Sequence, residues 1–214
     1  MRPIVIHPSY FPPTTYLAAI LQNEGNVLLE AEDHFQKQTF RNRMVIGTDK
    51  GPLTLSIPIR HQKGIRQKYR EVVSEPTSDW NRQHWKGLQT AYRTSAFFEF
   101  FETDLAAFFE HSTVNVFEHN LNTLRFLCDA FRIPLQTTVT SSYQKQPYTN
   151  NCIDLRDWIH PKIYTAVSPK LPYAQVFDDK INFQPNLSSL DLLVNLGPKQ
   201  GIAYLKSLPI ADLF

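Results

Sequence analysis

Glycine is scarce in this chain, seven in 214 residues against fifteen prolines. Neither a P-loop nor a GxGxxG turn is present, so nucleotide binding through a glycine-rich phosphate cradle is excluded. No GxSxG elbow occurs either, which removes the α/β-hydrolase type of serine chemistry. Cysteine is scarcer still. Cys128 and Cys152 are the only two, and no CxxC occurs. That excludes a disulfide framework and points to a reducing compartment. The seven histidines never fall at metal-ligand spacing, so no metal site is expected. Long apolar runs are absent. No stretch approaches the ~20 residues of a membrane span. The opening "MRPIVIHPSY" breaks at His7 and Pro8, too early for a signal peptide. A cytoplasmic protein is expected.

Acidic residues are missing from one region. Between Lys37 and Arg70 the single anion is Asp49 against nine cations, a local net of +8 in a chain whose total is +2. Such asymmetry points to an anionic ligand, or else to a solvated basic face. The segment begins inside "HFQKQTFRNR", residues 34–43. His34 and Phe35 lead into it. Gln36, Lys37, Gln38, Arg41, Asn42 and Arg43 follow. Arginine offers a planar fork for phosphate or carboxylate, lysine a point charge, and the amides suit sugar hydroxyls. Part of this set, Asn42 above all, is expected to brace the loop.

What is plentiful is aromatic and β-branched residues, with fifteen Phe and nine Tyr. "PIVI", 3–6, predicts a buried strand. "HPSYFPP", 7–13, is a rigid loop, because three prolines in seven residues exclude helix and sheet interiors. Pro13 suits the first position of a helix over "TTYLAAILQ", and "NVLLEA", 26–31, predicts a second strand. "RMVIGTDKGPLTLSIPI" reads as a hairpin turning at "TDKG", and "KYREVV" as a further strand.

The middle is helical. Trp80, His84, Leu88 and Tyr92 recur at spacing four. Phe97, Phe98, Phe101, Leu105 and Phe108 share one face behind a Ser95 cap. Val114, Phe117, Leu121, Leu124 and Cys128 share another. "IPLQTTVTSS", 133–142, predicts a strand returning to the sheet. Residues 143–172 are polar and irregular, with "DLRDWIHPK" inside, and "YAQVF" is a short strand. Ser188 and Asp191 form a reciprocal capping pattern over "NLSSLDLLVNLGP", which Gly197 ends and Pro198 follows with "KQGIAYLKSL". The expectation is α/β: a βαβ-type opening, a mixed sheet, a β-hairpin and a helical insertion or annex. All of it forms one domain over 1–214. The sheet uses about 1–75 and 133–180, the helical part about 78–131, and the last helices about 188–208.

His7 follows the first strand, where open α/β sheets gather ligands. It is a candidate for acid/base work or phosphate contact. Tyr10 shares its loop as a phenol donor. His84 lies on an apolar stripe and is a core histidine by default. Glu30, Glu32 and Asp33 suit a magnesium ion less well than plain solvation. No helix carries the basic run and no nucleic-acid module matches, which argues against DNA or RNA. Nothing in the sequence names a cofactor or an oligomeric state.

"VIHPSYFPPTTY", "EDHFQKQTFRNRMVI", "LSIPI", "WNRQHWKGLQTAYRTSAFFEFF" and "NLSSLDLLVNLGP", in this order, resemble the WbqC-like family over about 200 residues. Many members have HQPxYLP in the first loop where this chain has "HPSYFPP", so Tyr10 and Pro12 match. "KQTFRNR" resembles the family's K-x-x-W/Y-x-N-R stretch, which carries over Lys37, Arg41, Asn42 and Arg43. His84, Trp85, Tyr92, Ser188, Asp191 and Gly197 fall on recurring positions. The resemblance implies a bacterial enzyme of O-antigen or other surface-polysaccharide synthesis, transferring an amino acid such as glycine onto a sugar. Its partner would be a phosphate-bearing sugar or a nucleotide. Lys37, Arg41 and Arg43 would hold phosphate or stabilise developing charge. His7 or His84 would act as base, and Tyr10 and Gln38 would orient the sugar. Two alternatives stand beside it. One is a nucleotidyltransferase-like enzyme, although Thr14, Thr15 and Tyr16 stand where its second histidine pair belongs. The other is a non-catalytic binder of an anionic ligand, using a basic face that includes Lys63, Arg66 and Lys68.

Overall fold

Strand β1 (Ile4–Ile6) is wholly buried and lies between two parallel neighbours. The computed structural model describes residues 2–60, 64, 66–145, 151–158, 160–162 and 171–210; Lys63 lies outside them. After β1 the proline loop leads to α1 (Thr14–Gln22), which returns the chain to β2 (Asn26–Leu29). Pro13 caps α1 from the extended region rather than opening it. The hairpin of β3 (Arg43–Thr48) and β4 (Gly51–Ser56) is antiparallel and, among the described residues, forms a two-stranded sheet of its own. Then come α2 (Trp80–Tyr92), α3 (Phe98–Ala107) and α4 (Val116–Ala130). Strand β5 (Gln136–Val139) rejoins the sheet beside β2. Strand β6 (Ile153–Asp154) joins it on the other side of β1. The last helical segment, α5 (Ser189–Ser207), is two helices joined at a kink at Gly197, whose backbone is not helical (φ +71°), with Pro198 directly after it.

The fold is therefore α/β, with a parallel sheet in the order β5-β2-β1-β6 and a separate antiparallel hairpin. The chain runs outward from β1 through β2 to β5, then returns to the far side of β1 with β6. The order reverses between β1 and β6, and a crevice forms at their carboxyl ends. The runs "IVI" and "NVLL" satisfy a buried parallel strand because covering helices make alternation unnecessary. α1 packs against α5, and α4 against α5 and a short 3-10 turn, Tyr69–Glu71.

Several expected elements take another form. "KYREVV" is not a strand. Its 3-10 turn is hydrogen-bonded along 31–35, with Tyr69 N donating to Asp33 O at 2.8 Å and Phe35 N to Gln67 O at 3.0 Å. Tyr69 is fully buried, and its hydroxyl bonds Pro8 O instead of following a pleat. "YAQVF" forms no strand, because Tyr173 and Gln175 turn their polar groups to Asp191. Ser95 does not cap α3. Its hydroxyl donates back to Tyr92 O at 2.7 Å, so it closes α2, and Phe97 stands at the α3 cap. Ser188 does cap α5 by accepting from Leu190 N, but Asp191 is buried among Tyr173, Gln175 and Tyr92 and does not reach back. The polar stretch 143–172 contains β6, which no pattern marked.

Candidate functional site

The carboxyl ends of all four parallel strands carry polar groups that meet. Thr140, after β5, donates its hydroxyl to Glu30 Oε1 at 3.0 Å. Glu30, after β2, is fully buried, and the same oxygen accepts from the backbone of Glu32 and Asp33. Its Oε2 has no hydrogen bond and lies 3.6 Å from Arg156 Nη1. Arg156, just past β6, forks onto Asp154 through Nε and Nη2, with Nη2 at 2.7 Å. These contacts tie β5, β2 and β6 into one rim around β1. They also aim the turn that bears Asp33.

At the end of β1, His7 meets Asp33 and Arg41. His7 Nε2 lies 3.0 Å from Asp33 Oδ2, and Arg41 Nη2 lies 3.0 Å from the same oxygen. Arg41 Nη2 is also 3.2 Å from His7 Nδ1, while Nη1 donates to His34 O at 2.9 Å. The partners set the tautomer. A guanidinium can only donate and an ionised carboxylate only accept, so Nδ1 is the acceptor and Nε2 carries the hydrogen. Burial is the largest influence on His7 and, with the charges of Arg41 and Arg156, outweighs Asp33; its pKa falls to about 4. Burial alone would raise Asp33, but the His7 hydrogen bond and the Arg41 charge win and hold it below its usual value. The imidazole is neutral at pH 7 and held from both sides.

His7 and Arg41 face a cleft of about 110 Å³ between the β1 and β6 ends. Ser9, Tyr16, Gln36, Thr39 and Phe40 line it from one side, and Arg156, Asp157 and His160 from the other. The Tyr16 ring stacks on Trp158 at 6.4 Å. Its hydroxyl meets the His7 backbone and the Ser9 side chain, and burial raises its pKa above the usual phenol value. Two loops are pinned to each other beneath the cleft. Asn120 Nδ2 reaches Arg41 O and Tyr69 Oη, both at 2.6 Å, and Pro8 O at 3.3 Å. Phe11, in the same proline loop, sits at φ +39°, a strained value for a bulky residue.

The candidates from the sequence divide into five places. His7, Gln36 and Arg41 line the cleft. Lys37 is in the neighbouring groove, where Gln36 also takes part. Asn42 is buried in the hairpin base, with Nδ2 donating to Ile57 O and its own carbonyl accepting from Ile57 N. Arg43 opens β3 and lines neither cavity; Gln38 is exposed at φ +62°. Tyr10 and His84 are core residues. The Tyr10 hydroxyl and His84 Nδ1 are hydrogen-bonded at 2.9 Å, the His84 ring also bonds the Ser56 backbone, and burial lowers His84 to about 4. They belong to an aromatic cluster with Trp80 and His119 rather than to the cleft.

The acidic cluster is not solvated as expected. Glu30, Glu32 and Asp33 are all buried. Glu32 is held ionised by hydrogen bonds from Lys68 and Arg70, which engages two half-exposed cations of the basic run. Among the described residues no group of three or more His, Cys, Asp or Glu is placed to hold a metal ion, and no helix is long and apolar enough to cross a membrane. In the sequence Asp33 is a candidate only with Glu30 and Glu32 as an acidic cluster, and Tyr16, Arg156, Asp157 and His160 are not candidates. Asp33 was signalled by its place one turn past β2. The β6 residues carried no signal, since a two-residue strand has no periodicity.

The chain is similar to the uncharacterized protein Rv1507c of Mycobacterium tuberculosis (strain ATCC 25618 / H37Rv), 22% identical over 219 residues that cover 90% of this chain and 93% of the relative. No solved structure matches it. The WbqC-like protein family matches residues 7–167, from the histidine of the triad past the β6 side of the cleft, and the chain belongs to that family.

Proposed function

We propose that this protein is a transferase of surface-polysaccharide synthesis that moves an acyl or aminoacyl group onto the amine of a phosphate-linked amino sugar. The observation that carries the proposal is a neutral His7 fixed between Asp33 and Arg41 at the crevice where the strand order reverses. Asp33 orients the imidazole, and the lone pair of Nδ1 is the basic site. Its contact with Arg41 is at the long end of hydrogen-bond distances, and an incoming amine N–H replaces it. The amine nitrogen bonds to the acyl carbon, the bond from that carbon to the donor's leaving group breaks, and the amine proton passes through His7 to the leaving group. Arg41, released from Nδ1, turns its N–H groups to the oxyanion that forms at the acyl oxygen.

Charge supports this division of labour. Arg41 is matched by Asp33 and Arg156 by Asp154, so neither guanidinium is a spare cation for a phosphate. A cleft of about 110 Å³ suits one sugar ring or its amine, well below the roughly 300–1,000 Å³ of whole-ligand pockets. The test is mass spectrometry on nucleotide-linked sugars with a free amine, incubated with acyl and aminoacyl donors. The native protein adds the acyl mass. His7→Gln slows that step about 100-fold or more, the usual scale of a lost general base. Acyl transfer at the native rate by His7→Gln rejects the assignment.

A second reading, nucleotidyl transfer, is favoured by one observation, the order β5-β2-β1-β6 with a histidine directly after β1. It predicts release of pyrophosphate from a nucleoside triphosphate, which the acyl-transfer reading does not.

A further inference from the structure

Beside the cleft lies a second cavity of about 330 Å³. Phe35 and Ile59 form its apolar floor, Lys37 and Arg66 are exposed along it, and Gln36 and Gln67 supply amides. We propose that this groove seats a nucleoside diphosphate, the carrier whose attached sugar enters the His7 cleft. The proposal rests on the transferase reading and names its substrate class.

Four observations support it. The first is continuity, because Gln36 lines both cavities. The two cavities therefore lie side by side, with the exposed Gln36 side chain between them. The second is size. The cleft is too small for a nucleotide-linked sugar, whereas the groove falls within the range of whole-ligand pockets.

The third is charge. Among the described residues the lining holds Lys37, Arg66 and His34 and no carboxylate. The acids of the preceding turn are already engaged, Glu32 by Lys68 and Arg70 and Asp33 by His7 and Arg41. The guanidiniums of the cleft are each engaged by a carboxylate. The fourth is shape. Phe35 is held against Tyr69 with ring centroids 6.0 Å apart, and the backbone bonds between 33–35 and 67–69 fix both walls. A fixed aromatic face beside two amides accepts a planar base that stacks and hydrogen-bonds on its edge. Phosphates alone would serve a lipid diphosphate equally well; the aromatic floor and the amides select the nucleoside.

Isothermal titration with UDP, CDP, ADP, GDP and inorganic pyrophosphate tests this. At least one nucleoside diphosphate binds tenfold or more tighter than pyrophosphate. Lys37→Ala and Arg66→Ala each weaken it tenfold or more. Phe35→Leu weakens the nucleotide but not pyrophosphate, and His7→Gln changes its affinity by less than twofold. Lys37 and Arg66 are exposed, so their variants fold, and a thermal melt verifies it for Phe35→Leu. The proposal is overturned if no nucleoside diphosphate binds, if pyrophosphate binds as tightly as the best of them, or if Lys37→Ala and Arg66→Ala leave affinity unchanged. Affinity lost in Arg41→Lys but kept in both groove variants puts the phosphates in the cleft, which overturns the groove and leaves the transfer reading standing. Native-rate transfer by His7→Gln does the reverse.

Discussion

Three histidines, His7, His84 and His119, are buried, and burial is the largest reason each has its pKa lowered to about 4. In the unfolded chain a histidine titrates near 6.5. Between these values the unfolded state holds protons that the folded state refuses. Each such group therefore contributes its full stability above about pH 6.5 and loses about 1.4 kcal/mol per unit as pH falls toward 4. Asp33 acts in the same direction at lower pH, since its folded pKa is also depressed. His119 isolates the effect. Its Nε2 has no hydrogen-bond partner, and its ring packs on Tyr10, Trp80 and Phe108. His119→Phe keeps an aromatic ring and sacrifices no bond at Nε2. Urea unfolding at pH 7.5 and pH 5 should give a stability difference, variant minus native, that shifts in the variant's favour by about 2 kcal/mol on acidification. Parallel pH curves for the two proteins would mean that His119 titrates normally.

At the scale of elements, the turn from α1 into β2 is locked to the connection from α4 into β5. Gly25 has φ +72°, Gln136 N donates to its carbonyl at 2.8 Å, and a Cβ there would lie 1.6 Å from Pro134 O. Gly25→Ala must move backbone, and should cost about 3 kcal/mol or more. Gly51→Ala is the control. It also has positive φ, +104°, but nothing lies within 4 Å, so only strain remains, about 1 kcal/mol. Urea midpoints for the pair separate the clash from the strain; equal losses would show that Pro134 moves freely. Elements with a complete local signal were legible in the sequence. β1 and β2 are apolar runs, and α4 shows its buried stripe at Phe117, Leu121, Leu124 and Cys128. Elements decided by distant partners were not. Tyr69 follows Pro8 and Asn120, Ser95 follows the end of α2, and β6 exists only because β1 offers its edge.

At the scale of the molecule, the site joins residues 7, 33 and 41 to residues 156, 157 and 160. The first group was legible because strand logic puts the ends of β1 and β2 on one rim. The second was not, since nothing local ties "DLRDWIHPK" to β1. Tyr10 and His84 misled for the same reason. Being near His7 in the chain, or having the chemistry of a base, does not say which way a side chain faces, and these two face each other. The helical block over 80–130 is not independent of the sheet. Thr123 Oγ1 accepts from Phe11 N, and Asn120 holds Arg41 and Pro8. Gly47 N donates to the Tyr92 hydroxyl, joining the hairpin to α2. The block therefore buries its polar contacts against the very loops that carry the triad, and it cannot unfold alone without orphaning them. One cooperative transition is expected. Trp80 and Trp85 report on α2, while Trp158 stacks beside the cleft, so Trp158→Phe confines fluorescence to the helical block. In urea, the fluorescence midpoint of Trp158→Phe and the far-UV circular dichroism midpoint should coincide, with a single slope. Separate midpoints would make the helical block a folding unit of its own. The asparagine and threonine of α4 would then contribute to positioning the site but not to the cooperativity of the fold.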